Sequence, residues 1–395
     1  MTLPMVPRVL RPRRAAPADA VRPTRAEINL DALRRNLRVV RAHAGSARVW
    51  AVLKADAYGH GAPAVARTLE RSGVDGFCVA LLEEGVELRE AGITAPILLM
   101  GGHYDNAHGE VIARGLVPVV YDAKQVEAFA RLVRAGAVPG PIDVHLKVDT
   151  GMGRLGVTLA DLSELGARLA AVREVHVRGL MTHLACADAE DDGYTLEQMA
   201  RFDEAVAGLA RHGIRPDVLH AANSAAVLRA RARLDAARPG LALFGVAPRA
   251  GEARSLGLRP VMRVRTEVVA LRDVGVGACV GYDSTWRAER PSRIATLPMG
   301  YADGLPRRLG NRGHVLLRGR KAPIVGAVSM DMTMIDATAV PDAAVGDEVV
   351  ILGAQDGEHG SSSIGAEEIA VQADMIAWEV FTGISRRVPR FYREP

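Results

Sequence analysis

Short apolar runs alternate with helical patterns along the chain from about residue 26 to residue 245. The strand-like runs end near Lys54, Ala80, Gly101, Tyr121, Asp149, His183, Ala222 and Gly245. The intervening segments carry apolar residues at helical spacing, as in Val126, Phe129, Ala130, Leu132 and Val133, or Leu162, Leu165, Leu169 and Val172. Alternation of this kind predicts parallel strands joined by crossover helices, and eight units predict a closed (β/α)8 barrel. An open doubly wound sheet is the competing arrangement, but no GxGxxG follows the first strand.

The pattern changes after about residue 260. Runs at 261–271, 293–297, 315–318, 324–328 and 347–352 read as strands separated by Gly, Pro and Asp turns. One helix is expected from residue 364 onward, with Ile369, Met375, Ile376 and Val380 on its apolar face and Gly383 as its stop. The expected layout is an N-terminal arm (1–25), a barrel (26–258) and a mainly β C-terminal domain (259–395).

Composition narrows the class. A chain of 395 residues with 49% hydrophobic and 24% charged positions can bury a sizeable core. No apolar run approaches the length needed to cross a membrane. Cys78, Cys186 and Cys279 are odd in number and far apart, so they form neither a disulfide framework nor a metal-ligand set, and a cytoplasmic setting is expected. The net charge of +4 is concentrated at one end. Residues 1–25 hold six arginines against Asp19 alone, which leaves the remaining chain close to neutral. That argues against a basic body for nucleic acid, and the arm, rich in Pro and Ala, reads as a disordered extension without the apolar core of a signal peptide.

Lysine is scarce here: Lys54, Lys124, Lys147 and Lys321 are the four in the chain. Lys54 ends an apolar run and is followed by the glycine-rich segment Ala55-Asp56-Ala57-Tyr58-Gly59-His60-Gly61. A chain biased toward arginine keeps lysine where arginine cannot serve, because a lysine that loses its proton can attack a carbonyl. The plainer reading is a lysine snorkelling from a strand end. In a β/α barrel, however, the active site lies where the strands end, and Lys54, Lys147, Arg154, His183, Ser224 and Arg238 all fall at such positions. Ser224 also precedes a helix-like segment, and Gly240 permits close backbone approach, a combination suited to phosphate after strands seven and eight.

The stretch Lys54-Ala55-Asp56-Ala57-Tyr58-Gly59-His60-Gly61 resembles the pyridoxal-phosphate attachment site of alanine racemases, and further motifs along the chain agree. The resemblance extends over essentially the whole chain beyond the arm. It implies a barrel followed by a β domain, with Lys54 holding the cofactor as a Schiff base. It adds Tyr58 and the backbone of Gly240 and Leu241 as phosphate partners. In Ala237-Arg238-Pro239-Gly240 it places Arg238 against the pyridine nitrogen, and it sets His183 either against the ring or as a link from Arg238 to the second base. A permanent cation there opposes protonation of the nitrogen and favours return of a proton over transamination.

The same resemblance makes Tyr282, in Gly281-Tyr282-Asp283-Ser284, the second catalytic base, reaching the barrel of another subunit, so a homodimer with shared active sites is implied. Tyr301, in Gly300-Tyr301-Ala302-Asp303-Gly304, would narrow substrate entry. Met330, in Ser329-Met330-Asp331, would bind the substrate carboxylate through its N–H, with Asp331 in support. Arg154 would hold that carboxylate or the cofactor's phenolic oxygen. Lys147 would support Arg154, carbamylated as in some members or in an ordinary ion pair. Two positions depart from the family: Ser329 stands where many relatives have cysteine, and Arg386 where some have a phosphate-contacting tyrosine. The implied activity is interconversion of L- and D-alanine, the D-form serving peptidoglycan. A serine or broad-specificity racemase is the nearest alternative. A barrel decarboxylase and a non-catalytic cofactor-binding protein are further ones, the last disfavoured by the presence of both bases. No metal is expected.

Overall fold

In the computed structural model, the structure describes residues 21–104, 107–232, 234–249 and 251–394. The expectation of a disordered arm over residues 1–20 lies outside the described residues. Two compact units emerge, one of residues 33–57 and 62–259, the other of residues 21–32, 58–61 and 260–394.

The first unit is the barrel. Its eight parallel strands are Arg48–Val52, Gly76–Leu81, Ile97–Gly102, Val117–Val120, Ile142–Lys147, Val175–Met181, Val218–His220 and Ala236–Ala237. The first pairs with the last through Arg48↔Ala236 and Val49↔Ala237. Between the seventh and eighth, Asp235 N–H donates to Leu219 O (3.0 Å) and Arg238 N–H to Ala222 O (2.8 Å). The strands read as near-continuous apolar runs because both faces are covered, and Val49, Ala51, Phe77, Val79, Leu99, Val144 and Leu146 are buried. Helices such as Ala62–Arg71, Ala123–Arg134 and Leu159–Ala171 lie between strands. Asp122 and Thr158 cap two of them by accepting the N–H groups of Gln125 and Asp161.

The second unit is mainly β. Its larger sheet runs in the order Arg320–Pro323, His314–Leu317, Glu348–Gly357, Met262–Glu267, Arg25–Asn29, Arg390–Arg393, with Gly360–Ile364 paired to Glu348–Gly357. A smaller sheet joins Ala270–Val274, Ser292–Leu297 and Thr333–Asp336, and a short hairpin joins Cys279–Val280 to Trp286–Arg287.

Six sequence expectations change. The barrel does not begin at residue 26, because Arg25–Asn29 pairs with Met262–Glu267 and Arg390–Arg393 in the larger β sheet. Glu27 fixes it there, buried at 3% exposure among Arg25, Arg263, Arg265 and Arg393. Burial alone would raise its carboxyl pKa; those guanidinium groups hold it below the ordinary value instead. Residues 21–25 are accordingly not loose arm: Thr24 is fully buried and Arg22 pairs with Asp303 at 2.8 Å.

The run ending at Gly245 is not the eighth strand. Leu241–Phe244 forms a 3-10 turn stopped by Gly245 at φ +90°, and the strand is Ala236–Ala237. A short, wholly buried apolar run has no period to separate the two readings. The run 261–271 divides where Val268 N–H bonds Asp347 O and Val269 N–H bonds Thr296 O, each valine serving a different sheet. At 324–328 only Ile324 makes a bridge, the strand being Arg320–Pro323. The single expected helix is two, Ala366–Ala373 and Ala377–Gly383, broken at Asp374 with φ +55°.

Candidate active site

Lys54 leaves the first strand where two neighbours grip the backbone: Val52 N–H donates to Pro239 O (2.8 Å) and Leu53 N–H to Cys78 O (2.9 Å). The chain then makes a left-handed turn. Ala55, Asp56, Ala57 and Tyr58 all have φ between +52° and +57°. None is glycine, and each such residue costs about 1–2 kcal/mol. Bonds that hold the turn include Ala57 N–H to Leu53 O (2.9 Å), Ala62 N–H to Asp56 Oδ1 (2.8 Å) and Ala55 N–H to Glu84 Oε1 (2.6 Å). Tyr58 ends it, 6% exposed.

Basic groups collect at this end of the strands. Burial lowers the Lys54 ammonium below its ordinary value, and Arg154 lowers it further while Glu84 opposes. Burial, then Arg154 and Arg238, push Lys147 down to about 8. Burial, then Arg238, Arg154, Lys147 and Lys54, push His183 down to about 3, so its ring is neutral. Lys54, Lys147, Arg154 and Arg238, which the sequence places at strand ends, thus all act on the His183 ring. Asp149, the carboxylate at the end of the fifth strand, turns into its own loop, its Oδ1 accepting the N–H groups of Gly151, Met152 and Gly153. Asp149 still acts on the Lys147 charge, opposing the lowering by burial and the two arginines.

Arg238 is 3% exposed and faces neutral partners. Its guanidinium donates to His220 Nδ1 (2.7 Å), Thr182 O (2.7 Å) and Ala221 O (3.1 Å). Burial lowers it to about 10, which leaves it charged at neutral pH. A guanidinium only donates, so His220 Nδ1 accepts and His220 Nε2 carries the hydrogen. That hydrogen goes to His145 Nδ1 at 2.8 Å, so both tautomers are fixed in series. Gly179 on the sixth strand makes room for the second ring, since a Cβ there would lie 2.2 Å from His145 Nδ1. His145 also lines a cavity of about 260 Å³ with Trp50, Phe77 and Leu98, toward the strand starts and away from Lys54. His145 and His220 escaped the sequence reading because single histidines inside strands look like ordinary core.

Burial, then Arg238, push His145 down to about 3, and His220 is also well below its ordinary value from burial first and Arg238 second. The unfolded chain takes up these protons near pH 6.5, the folded one only near pH 3 for His145. Between those values the unfolded state binds more protons, so stability falls as pH is lowered. In urea unfolding from pH 7 to 4, His145→Phe should flatten this slope by up to about 1.4 kcal/mol per pH unit.

Ser224 and Gly240 meet at the ends of strands seven and eight. Ser224 Oγ accepts the N–H of Gly240 (2.8 Å) and of Ala242 (3.3 Å), which leaves its own hydrogen free to donate outward. Asn223 caps the following turn through Ala226 N–H. Gln198, absent from the sequence reading, is fully buried and donates to His183 O (3.0 Å) while accepting Ala185 N–H (2.9 Å).

The remaining site candidates lie in the second unit. Tyr282 stands 69% exposed at the tip of the hairpin, on a turn where Gly281, Asp283 and Ser284 all have positive φ. Tyr301 and Met330 are also exposed. Their segments are stitched together by Tyr301 N–H to Ser329 O (2.9 Å) and Ala302 N–H to Met330 O (3.0 Å). A Cβ on Gly300 would collide with Ser329 O and Met330 O, so glycine is required for this approach. Asp331 pairs with Arg387 at 2.7 Å, and Arg386 is exposed.

The first unit is a closed β/α barrel with a lysine at the end of its first strand and cations at its strand ends, and the second unit is mainly β. Residues 28–248 match the alanine racemase N-terminal domain and residues 261–392 the alanine racemase C-terminal domain. The alanine racemase of Sorangium cellulosum is 59% identical over 95% of this chain and all of its own length, and that of Symbiobacterium thermophilum 45% identical over 95% and 98%. Among solved structures, the alanine racemase of D-cycloserine-producing Streptomyces lavendulae superposes with a TM-score of 0.89 at 36% identity, covering 95% of this chain and 98% of that one. That of Bacillus anthracis with bound L-Ala-P gives 0.87 at 32%, covering 95% and 96%. The chain belongs to the alanine racemase family, whose members depend on pyridoxal phosphate.

Proposed function

We propose that this protein interconverts L- and D-alanine with pyridoxal phosphate attached at Lys54, as a cytoplasmic homodimer supplying D-alanine for peptidoglycan. The observation that carries the reading is a cluster of cations at the strand ends: Lys54, its own proton affinity lowered by burial and by Arg154, acts together with Lys147, Arg154 and Arg238 on His183. Such a donor set fits a cofactor bearing a phosphate, a phenolic oxygen and a ring nitrogen, and it fits a substrate carboxylate. When bound, that cofactor supplies a carbonyl for amine attachment and an electron-withdrawing ring that acidifies the substrate's α-C–H.

The chain's own residues divide the rest. The lowered pKa of Lys54 makes an amine available to form the attachment and to take or return a proton on one face. Tyr282 of a second subunit serves the opposite face. Arg238, charged and without a carboxylate partner among the described residues, presents a cation to the ring nitrogen and disfavours its protonation. His183, held in place by Gln198, stacks on the ring. Ser224, the backbone of Gly240 and Leu241, and Tyr58 hold the phosphate. Arg154 and the Met330 N–H hold the substrate carboxylate, while Tyr301 narrows entry and Asp331 stays tied to Arg387. Lys147, lowered to about 8 by burial and by Arg154, supports Arg154, as a carbamate or in an ordinary ion pair.

Two measurements test the reading together. Chiral analysis of purified protein incubated with L-alanine, L-serine or L-lysine should show D-alanine formed fastest. Borohydride reduction followed by peptide mapping should place the pyridoxyl group on Lys54. Labelling of Lys124, Lys147 or Lys321 instead overturns the assignment, and faster conversion of serine makes the protein a racemase of broader or different specificity.

A further inference from the structure

Glu84 is the third residue of the helix Leu82–Glu90, where a glutamate ordinarily does no more than reach back to the N-cap amide. Here it does that with one oxygen only: Oε2 accepts Ala80 N–H (2.8 Å) and Leu81 N–H (3.1 Å) at the end of the second barrel strand. Its other oxygen, Oε1, crosses to the first strand and accepts Ala55 N–H at 2.6 Å. Ala55 is the residue after Lys54 and the first of the four left-handed residues. One carboxylate therefore collects three amides from two strand ends, one of them at the start of the strained turn.

We propose that Glu84 is a positioning residue for Lys54, its carboxylate clamping the left-handed turn to the second strand so that the lysine is aimed into the rim. The physical case has two parts. A left-handed run of non-glycine residues persists only where its surroundings over-determine it, and the Ala55 amide ties the first residue of the run to the segment that follows the second strand. A charge-assisted bond of 2.6 Å is the strong kind, so its loss is felt by the turn. Glu84 is also the anion that acts on the Lys54 ammonium, opposing Arg154. The inference rests on the reading that Lys54 carries the cofactor, and its test has an arm that does not.

The scarcity of lysine makes that arm practical. Reductive ¹³C-methylation of cofactor-free protein labels four lysines, and Lys54→Arg assigns the Lys54 signal. Glu84→Gln keeps the size of the side chain and one acceptor oxygen, but puts an NH₂ group against an N–H. In that variant the Lys54 resonance should move and its titration midpoint fall, with Lys124 and Lys321 unchanged. Pyridoxal phosphate added to the unlabelled variant should bind about 10- to 100-fold more weakly, as expected for one lost hydrogen bond to a charged group. Its kcat should fall more than its KM changes, while Glu84→Asp should restore part of both. If Glu84→Gln lowers the thermal unfolding temperature but leaves the Lys54 signal and cofactor affinity as in the parent, Glu84 is a helix cap and the proposal is overturned. Should borohydride mapping place the cofactor on another lysine, the proposed function fails, and the Lys54 signal in cofactor-free protein still decides the clamp. Glu84→Ala, which removes all three bonds, is the harsher variant; Glu84→Gln decides the matter even where the alanine protein does not fold.

Discussion

Lys54→Ala and Tyr282→Phe should each be nearly inactive as pure proteins and should recover activity when mixed. Loss of a positioned acid–base group removes about 10²- to 10⁴-fold in rate, and Lys54→Ala also removes the attachment point. Tyr282 is exposed at a hairpin tip in the second unit, whereas Lys54, Ser224 and Arg238 belong to the barrel. In an isologous dimer that joins one chain's tyrosine to its partner's lysine, a hybrid carries both substitutions in one site and neither in the other. Random pairing makes about half the dimers hybrid, so roughly a quarter of all sites are intact. Activity near a quarter of the parent's, after demonstrated subunit exchange, supports the shared site. No recovery places both bases within one chain.

Arg238→Glu should convert a proton-returning enzyme into a poorer and less selective one. The native guanidinium is buried against His220 and two carbonyl groups, so nothing beside it donates a proton to a ring nitrogen. A carboxylate at the same place favours the protonated ring, a stronger electron sink, and return of the proton at the wrong carbon becomes competitive. Racemisation should fall, and pyridoxamine phosphate with pyruvate should accumulate over repeated turnovers. The substitution also leaves His220 without its donor and alters the tautomer series through His145, so ¹⁵N spectra of the two rings should change together. Normal racemisation with no side product removes the electronic role from Arg238.

The barrel was legible because a parallel strand buried on both faces and a crossover helix leave different apolar periods, and eight such alternations have one common closed solution. The cation cluster was legible because strand ends could be counted, and Lys54, Lys147, His183 and Arg238 fall on them. The 3-10 turn Leu241–Phe244 was not, since four buried apolar residues satisfy either conformation. Asp374 likewise breaks a helix in a pattern that runs on through it, because a left-handed residue leaves the apolar spacing nearly intact.

The order of residue types by itself determined the alternating barrel, the change to β structure near residue 260, the scarcity of lysine and the motif that ties Lys54 to a known family. Those properties are local, carried by period, turn chemistry and spacing within a few tens of residues. Tertiary structure decided which sheet takes Arg25–Asn29, since partners at 262–267 and 390–393 and a ring of four arginines around Glu27 are set far along the chain. It also decided the hand of the turn after Lys54, which the intrinsic preference of Ala55, Asp56 and Ala57 opposes and which Glu84, 29 positions away from Ala55, holds in place. Arg238 could be named from its motif, but what it touches could not. His220 and His145 reach it only because a closed barrel brings its strands round to one another, and no periodicity in a single strand records its neighbour across the ring.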